Sequence, residues 1–490
     1  MCGASRRSDG NQFLVHSLLA FCLVFVGVVI HTSSANADVP AKLAPSLEKV
    51  LAPIGKISQK WGVSVVDVET GEVWFARHAD RSLNVASNAK MISTAAALHA
   101  LGVDRVFQTR IAGTVDEKGI VQGDLHVIGG GDPLLEMSGV RALVSQVHDA
   151  GVREVKGRVV VDDALFDAVH VPPAFGQKKT DAAYRASVGA LSVASNAVTI
   201  SFRPARKPGD APEVSVAPRS AYVLLDNAGV TRKGKKDRLH VKTSAAGSRT
   251  RVRVSGSIGS RNKGGAVTRR IQDPGMHAGH VFRAELVRRG VRVRGTEIVR
   301  AVAPEGTPVL ASRGSQSLMK VARFVNERSH NMGAETLFKH LGVQKEGETA
   351  TWARARGAVA TFLEGAGLET GSYTYTNGSG LYEADFFSPD QLTRFLRWAH
   401  EESPWRQAWM DSLAVAGRTG TLRGRMRGAE TAGKVRGKTG TLNEVIALSG
   451  YIETSSGRHL AFSFLFNEVK GGKRAARRLQ DRLCRALAGF

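Results

Sequence analysis

Apolar positions along the chain fall into three patterns, each predicting its own kind of element. Ala89, Met91, Ile92, Ala95, Ala96, Leu98 and Leu101 recur at helical spacing and stop at Gly102, which predicts a buried helix with a defined end. Met332, Leu337, Phe338 and Leu341 predict a second helix over 332–341. Residues 445–453 and 460–469 are almost continuously apolar around Ser455-Ser456-Gly457, the pattern of two buried strands joined by a turn, and 434–442 reads as a strand before them. Earlier in the chain, 120–132 and 152–163 read as strands ending in turns, 140–150 and 280–289 as helices, and 291–299 as a further strand. Residues 196–270 are rich in Val, Thr, Arg and Gly, with alternating runs such as Arg251-Val252-Arg253-Val254-Ser255 that predict a small β unit. An apolar run over 13–30 follows Arg6 and Arg7 and precedes Ala35-Asn36-Ala37, which predicts an export leader over 1–37 cleaved before Asp38. That run is near the length of a membrane span, so an uncleaved anchor is the alternative, and no other segment is long or apolar enough to cross a bilayer.

Three short strings sit on these elements where their chemistry requires. Ser87-Asn88-Ala89-Lys90 opens the first helix, so Ser87 lies in its first turn with Lys90 one turn later on the same face. Free N–H groups and the positive dipole end there favour a developing oxyanion. A serine hydroxyl needs a base to become a nucleophile. Lys90 serves only if its pKa falls far below about 10.4, which burial and a second cation, Lys438, would both promote. Lys438-Thr439-Gly440 lies on the predicted strand 434–442, which turns Lys438 and Gly440 to one side and lets a substrate backbone approach at the glycine. Lys438 and Thr439 are then expected near a substrate carboxylate, with the Thr441 amide opposing that of Ser87 as an oxyanion hole. Ser329-His330-Asn331 opens the helix 332–341; Ser329 would shuttle a proton between Lys90 and the leaving group, and Asn331 would hydrogen-bond the peptide. Taken alone, this third string reads as a helix cap. Together the three are the signature of penicillin-interacting serine acyl-transferases. A phosphate-loop reading of Gly433–Thr439 is rejected, because one residue too few separates its glycines.

Charge and cysteines narrow the setting. The formal net charge is +24, densest over 203–270 and 470–478, which favours anionic partners such as wall polymers or lipid head groups. Few aromatics interleave the basic residues and no nucleic-acid motif is present, so nucleic acid is not expected as the partner. Cys2 and Cys22 fall in the leader, leaving Cys484 alone, with no intramolecular disulfide and no cysteine metal site. His277 and His280 are spaced like metal ligands but read as surface histidines, and no metal is expected. About 240 residues separate Ser87 from Ser329, more than one helical lobe needs, so a large insertion must hang from the catalytic unit.

The strings above, together with Gly129-Gly130-Gly131-Asp132-Pro133, Leu191-Ser192-Val193, Asn377-Gly378-Ser379-Gly380-Leu381 and Val415-Ala416-Gly417-Arg418-Thr419-Gly420-Thr421-Leu422, resemble class C low-molecular-mass penicillin-binding proteins, the D-alanyl-D-alanine carboxypeptidase/endopeptidase family. The resemblance implies an α+β fold: a penicillin-recognising serine transpeptidase-like domain with a five-stranded antiparallel sheet flanked by helices, and a two-domain insert between the first and second motifs. The expected bounds are 38–106 and 309–490 for the catalytic part, 107–195 and 271–308 for an inserted α/β domain, and 196–270 for a nested β domain. It implies an aspartate of the insert leaning into the active site, matched here by Asp162. It also implies peptidoglycan stem peptides as substrates, β-lactams as acylating mimics, no metal or organic cofactor, and a bacterial periplasm or envelope address. Two departures stand out. His330 occupies the middle position where the family commonly has aspartate, and Tyr382-Glu383 replaces Ser-Arg, which puts recognition of a stem-peptide carboxylate in doubt. A β-lactamase would need a deacylating base, and no Glu-x-x-Leu-Asn string is present. A silent scaffold is disfavoured by the intact motifs.

Overall fold

In the computed structural model, residues 38–490 are described, apart from 344, 346 and 402. The expected leader, 1–37, lies outside the described residues. The predicted hairpin forms the middle of a six-stranded antiparallel sheet. Its order is Val73–Arg77, Ser58–Asp67, His459–Val469, Ile446–Glu453, Val435–Thr441 and Ala414–Val415. Seven of the eight residues of Ile446–Glu453 are buried, because helices cover both faces, and this is why the run lacks alternation. Helices Asp38–Leu51 and Lys473–Ala488 pack on one face. The other face meets the cluster built around Ala89–Leu101, Leu318–Arg328, Asn331–His340 and Pro389–Glu401. The sixth strand, which the resemblance did not imply, is the two-residue Ala414–Val415 added at the edge beside Arg436 and Gly437.

Helix Ala89–Leu101 is buried on every side from Ala89 to Leu98, which makes it the axle of the helical lobe. Gly102 ends it with φ at +81°, a backbone setting that a side chain would oppose.

The insert carries a mixed five-stranded sheet in the order Ile298–Arg300, Val159–Asp162, Leu125–Gly129, Gln108–Ala112 and Val309–Gly314. The last of these corrects the expected boundary at 309, since Val309–Gly314 pairs antiparallel with Gln108–Ala112 and so belongs to the insert's sheet. The expected strands 120–132 and 152–163 are each split in two. Gly157 donates its N–H to the Gly123 carbonyl where the two segments cross, and a Cβ there would strike Asp124 and Gly123. The helix expected at 280–289 starts earlier, at Pro274, with the Asp273 side chain accepting from the Met276 N–H. Residues 197–270 form two three-stranded sheets, Glu213–Ala217 with Ala197–Arg203 and Gly265–Arg270, and Val223–Arg232 with Arg249–Gly259 and Asp237–Ala246. Their Val198, Ile200, Tyr222 and Val254 share one apolar core with Val127, Val161 and Phe282. His277, expected at the surface, is instead fully buried, with its ring 5.1 Å from that of Tyr222. Among the described residues no helix is long and apolar enough to cross a membrane, and no three or more metal-ligating side chains converge.

Candidate active site

Ser87 sits in a single 3-10 turn, Ala86–Asn88, that leads into helix Ala89–Leu101. Ala86 adopts φ of +47°, a setting rare for a non-glycine residue and one that persists only where neighbours enforce it. Several contacts hold this turn. Asn84 Oδ1 accepts from the Ala86 N–H at 2.8 Å, Asn84 Nδ2 donates to the Tyr382 carbonyl at 2.9 Å, and Asn88 Nδ2 donates to Ser449 Oγ at 2.7 Å. Two glycines pack against it from outside. A Cβ on Gly440 would lie 2.8 Å from the Val85 carbonyl, and one on Gly380 would overlap the Ala86 carbonyl. Gly440 therefore serves the fit of the strand Val435–Thr441 against the nucleophile turn, rather than only the substrate approach expected of it.

Lys90 Nζ lies 2.9 Å from Ser87 Oγ and donates to the Ser379 carbonyl at 2.6 Å. Burial lowers the Lys90 pKa to about 7, against the upward pull of Glu335 and Asp385. Lys438, also fully buried, donates to Ser329 Oγ and to the Thr439 carbonyl, both at 2.9 Å. Its pKa falls well below the usual lysine value, chiefly through burial and then through the charge of Lys90. The expected repulsion between the two lysines is thus present.

Ser329 ends helix Leu318–Arg328 in the left-handed region, with φ +54° and ψ +44°. The cap of the next helix, Asn331–His340, is neither Ser329 nor Asn331. His330 Nδ1 accepts from the Gly333 N–H at 3.1 Å, so both polar neighbours remain available to the cleft. This accounts for the histidine departure, because a neutral imidazole supplies the acceptor that an aspartate would. Burial, with the Lys90 charge beside it, holds the ring's pKa down at about 4. The neutral ring therefore contributes stability that is complete above the ordinary histidine value near 6.5 and lost as pH falls toward 4. His330→Ala is expected to cost about 1 kcal/mol at pH 7. In thermal melts that deficit should shrink by pH 4.5; a deficit that grows on acidification would contradict the assignment.

Asn331 Nδ2 donates to the Tyr184 carbonyl at 2.9 Å and so ties the insert to the site. Thr439 Oγ1 donates to Thr421 Oγ1 at 2.8 Å, which gives the string 415–422 a place beside the third motif. Ser87, Ser329, Asn331 and Thr441 line one cleft of about 640 Å³, together with Tyr184, Lys178 and Glu383. Asp162 does not reach it. Its carboxylate accepts from the Ala303 N–H at 2.9 Å and the Ala164 N–H at 3.3 Å, which fixes it at the end of strand Val159–Asp162, away from the cleft lining.

Sequence reasoning missed the buried acids beneath the nucleophile. Glu335 accepts from the N–H groups of Gly378 and Ser379 at 3.0 and 2.9 Å. Asp385 accepts from Thr376 and Asn377 at 2.6 and 3.3 Å. Together they bracket the segment that offers its Ser379 carbonyl to Lys90. Burial raises Glu335 to about 7 and Asp385 to about 8, opposed by these backbone donors and by Lys90. The available signal was a glutamate among Ala334, Leu337 and Phe338, since a charge among apolar residues is rarely buried without partners.

Comparison with known proteins adds the following. The pattern of the family described as D-Ala-D-Ala carboxypeptidase 3 (S13) matches residues 43–488. The D-alanyl-D-alanine carboxypeptidase of Actinomadura sp. (strain R39) is 33% identical over 444 residues, covering 88% of this chain and 81% of that one. The crystal structure of penicillin binding protein 4 from Haemophilus influenzae superposes with a TM-score of 0.78 at 20% identity, covering 91% of this chain and 99% of that one. The same protein complexed with a novel β-lactam gives a TM-score of 0.74, also at 20% identity, over 90% and 98% of the two chains.

Proposed function

This chain belongs to the D-Ala-D-Ala carboxypeptidase 3 (S13) family, and we propose that Ser87 carries its acyl-enzyme with Lys90 as the base. The protein is a serine D-alanyl-D-alanine carboxypeptidase that acts on peptidoglycan stem peptides and is acylated by penicillin. The observation that carries the assignment of residues is the 2.9 Å approach of a buried lysine with a pKa near 7 to an accessible serine. Lys90 takes the Ser87 proton as Oγ attacks the carbonyl of the penultimate D-alanine. The amides of Ser87 and Thr441 receive the oxyanion, and Lys438 with Thr439 holds the terminal carboxylate. Ser329, joined to Lys438, returns the proton to the departing D-alanine nitrogen, while Asn331 holds the peptide. Water then hydrolyses the ester.

Glu383 lines the cleft with no ion pair among the described residues, and Lys178 lies over the Tyr382 ring at 5.4 Å. A carboxylate at this place suits a stem side chain that ends in an amine. The exposed Arg474, Arg478 and Arg482 on helix Lys473–Ala488 support an anionic envelope polymer or membrane surface as neighbour. The leader pattern and the wall substrate together support export to the bacterial envelope.

Release of D-alanine from a peptide ending in D-Ala-D-Ala tests this reading. The wild type should release it, and Ser87→Ala should be slower by at least about three orders of magnitude. Equal rates in the two proteins would overturn the assignment.

A further inference from the structure

Residues 197–270 carry more than half of the chain's charge excess. Seventeen Lys and Arg there face four Asp and Glu, a surplus of +13 in a chain whose total is +24. The acyl-transfer chemistry uses none of them. We propose that one face of the sheet Val223–Arg232, Arg249–Gly259 and Asp237–Ala246 is a docking surface for a linear polyanion of the cell wall, a chain of polyol phosphates. Docking there holds the enzyme beside its substrate. The proposal rests on the reading above only for the wall setting.

Alternation along the strands sorts this sheet into two faces. Val252 and Val254 of the central strand are fully buried, with Val241 beside them, in the core shared with the rest of the insert. Their neighbours Arg251 and Arg253 therefore turn outward, and the register sets Ser244 opposite Arg251 and Lys242 opposite Arg253. Arg238 lies four residues before Lys242 on the same face. Lys233, Lys235 and Lys236 continue the line through the turn at the sheet's end, where Gly259 donates to the Lys236 carbonyl. All of these cations are exposed. They form a track about 20 Å long, with successive outward positions on a strand about 7 Å apart.

Two features point to a ligand rather than to an ordinary solvated face. Lys242 directly opposes Arg253 across the ladder, and like charges so placed destabilise a sheet. Asp226, the one acid at the outward positions of the three strands, reaches Arg253 at 3.6 Å and offsets only part of this. In addition, Lys233, Lys235, Lys236, Arg238, Lys242 and Arg251 form no ion pair and no side-chain hydrogen bond among the described residues. A polymer with a phosphate on each short repeat satisfies several of these groups at once, and guanidinium forks suit its paired oxygens. A membrane surface fits less well. The aromatics of 197–270, Phe202 and Tyr222, are both buried, so none reaches a lipid interface. Their burial also removes the stacking platforms that single-stranded nucleic acid uses.

The surface is joined to the catalytic cleft. Thr243, next to Lys242, donates its backbone N–H to the Asp181 carboxylate at 2.8 Å, and Arg269 pairs with the same carboxylate at 3.3 Å. Asp181 belongs to the loop whose Gln177, Lys178 and Tyr184 line the cleft. A polymer on the sheet therefore keeps the cleft within reach of peptides fixed to the same wall, which raises their effective concentration.

The test uses the full mature chain, with binding to labelled poly(glycerol phosphate) read by anisotropy at about 50 and about 200 mM salt. The sheet variant is Lys242→Glu with Arg251→Ser, and the comparison is Arg474→Ser with Arg478→Ser on the terminal helix. Lys242→Glu sets an acid opposite Arg253, so Tm should hold or rise. The wild type should bind with an affinity that falls steeply with salt, and the sheet variant should lose about tenfold or more at the lower salt. Its D-alanine release from a soluble peptide and its acylation by benzylpenicillin should stay within about twofold, while release from intact polymer-bearing walls drops. No binding by the wild type, or a loss that follows only the terminal-helix pair, would overturn the inference. So would tighter binding to phosphatidylglycerol vesicles or to single-stranded DNA than to the polymer. Failure of either kind leaves the carboxypeptidase reading intact, and a wild type that binds the polymer but releases no D-alanine would sink that reading alone.

Discussion

Replacing Lys90 by alanine is expected to slow acylation of Ser87 by about a thousandfold, within the range of a lost general base. The loss should appear in the acylation rate rather than in substrate binding. Lys438 donates to Ser329 and Thr439 independently of Lys90, and without the neighbouring charge its own ammonium form is favoured. The pH profile carries the sharper information. In the wild type the reactive form of Lys90 is the neutral amine, so acylation should climb with pH through about 7 and then level off. That limb should vanish in Lys90→Ala, leaving a slow, flatter profile. Stopped-flow or quenched acylation by a chromogenic β-lactam between pH 5.5 and 9 would show it. A limb that survives the substitution would move the base to another residue.

Glu335→Gln is expected to act in two separable ways. A carboxamide offers one acceptor oxygen where the carboxylate serves two N–H groups; Ser379 keeps Asn377 Oδ1 at 3.2 Å as a second acceptor, so the donor left buried and unpaired when the amide nitrogen turns to it is that of Gly378. That costs about 1–3 kcal/mol, visible as a lower Tm. The second effect is electrostatic. The groups facing Lys90 are the acids Glu335 and Asp385, the cation Lys438 and the neutral ring of His330. Glu335 exerts the larger of the two upward pulls on the Lys90 pKa, so removing its charge lets burial depress that pKa further. The acid limb of the acylation profile should therefore move to lower pH. A purely structural role would lower Tm without moving the limb. The same measurement on Asp385→Asn should give a smaller shift in the same direction.

Much of the site was legible because its parts are neighbours in the chain. Ser87 and Lys90 are three residues apart at a helix start, and that spacing alone brings Nζ to Oγ. Lys438 and Thr439 alternate on a strand whose apolar partners identified it. The hairpin after it was visible as two continuous apolar runs, since both faces of the sheet are covered. What could not be read depends on long-range closure. Glu335 holds the segment whose Ser379 carbonyl accepts from Lys90, and that carbonyl lies 289 residues along the chain from Lys90. The family resemblance pointed Asp162 at the active site, but two backbone N–H groups from separate segments, Ala164 and Ala303, hold its carboxylate elsewhere. Strand Val309–Gly314 could be assigned to the insert only once its partner, Gln108–Ala112, was known. The early start of helix Pro274–Arg289 is a different case, because Asp273-Pro274 is a legible cap and first-turn signal that periodicity alone passed over.

The central claim is that Ser87 is the acylated nucleophile. Intact mass of the mature chain after incubation with benzylpenicillin, beside Ser87→Ala, tests it most directly. The account predicts one stoichiometric adduct on the wild type and none on the variant. An adduct on both proteins, or on neither, would contradict it.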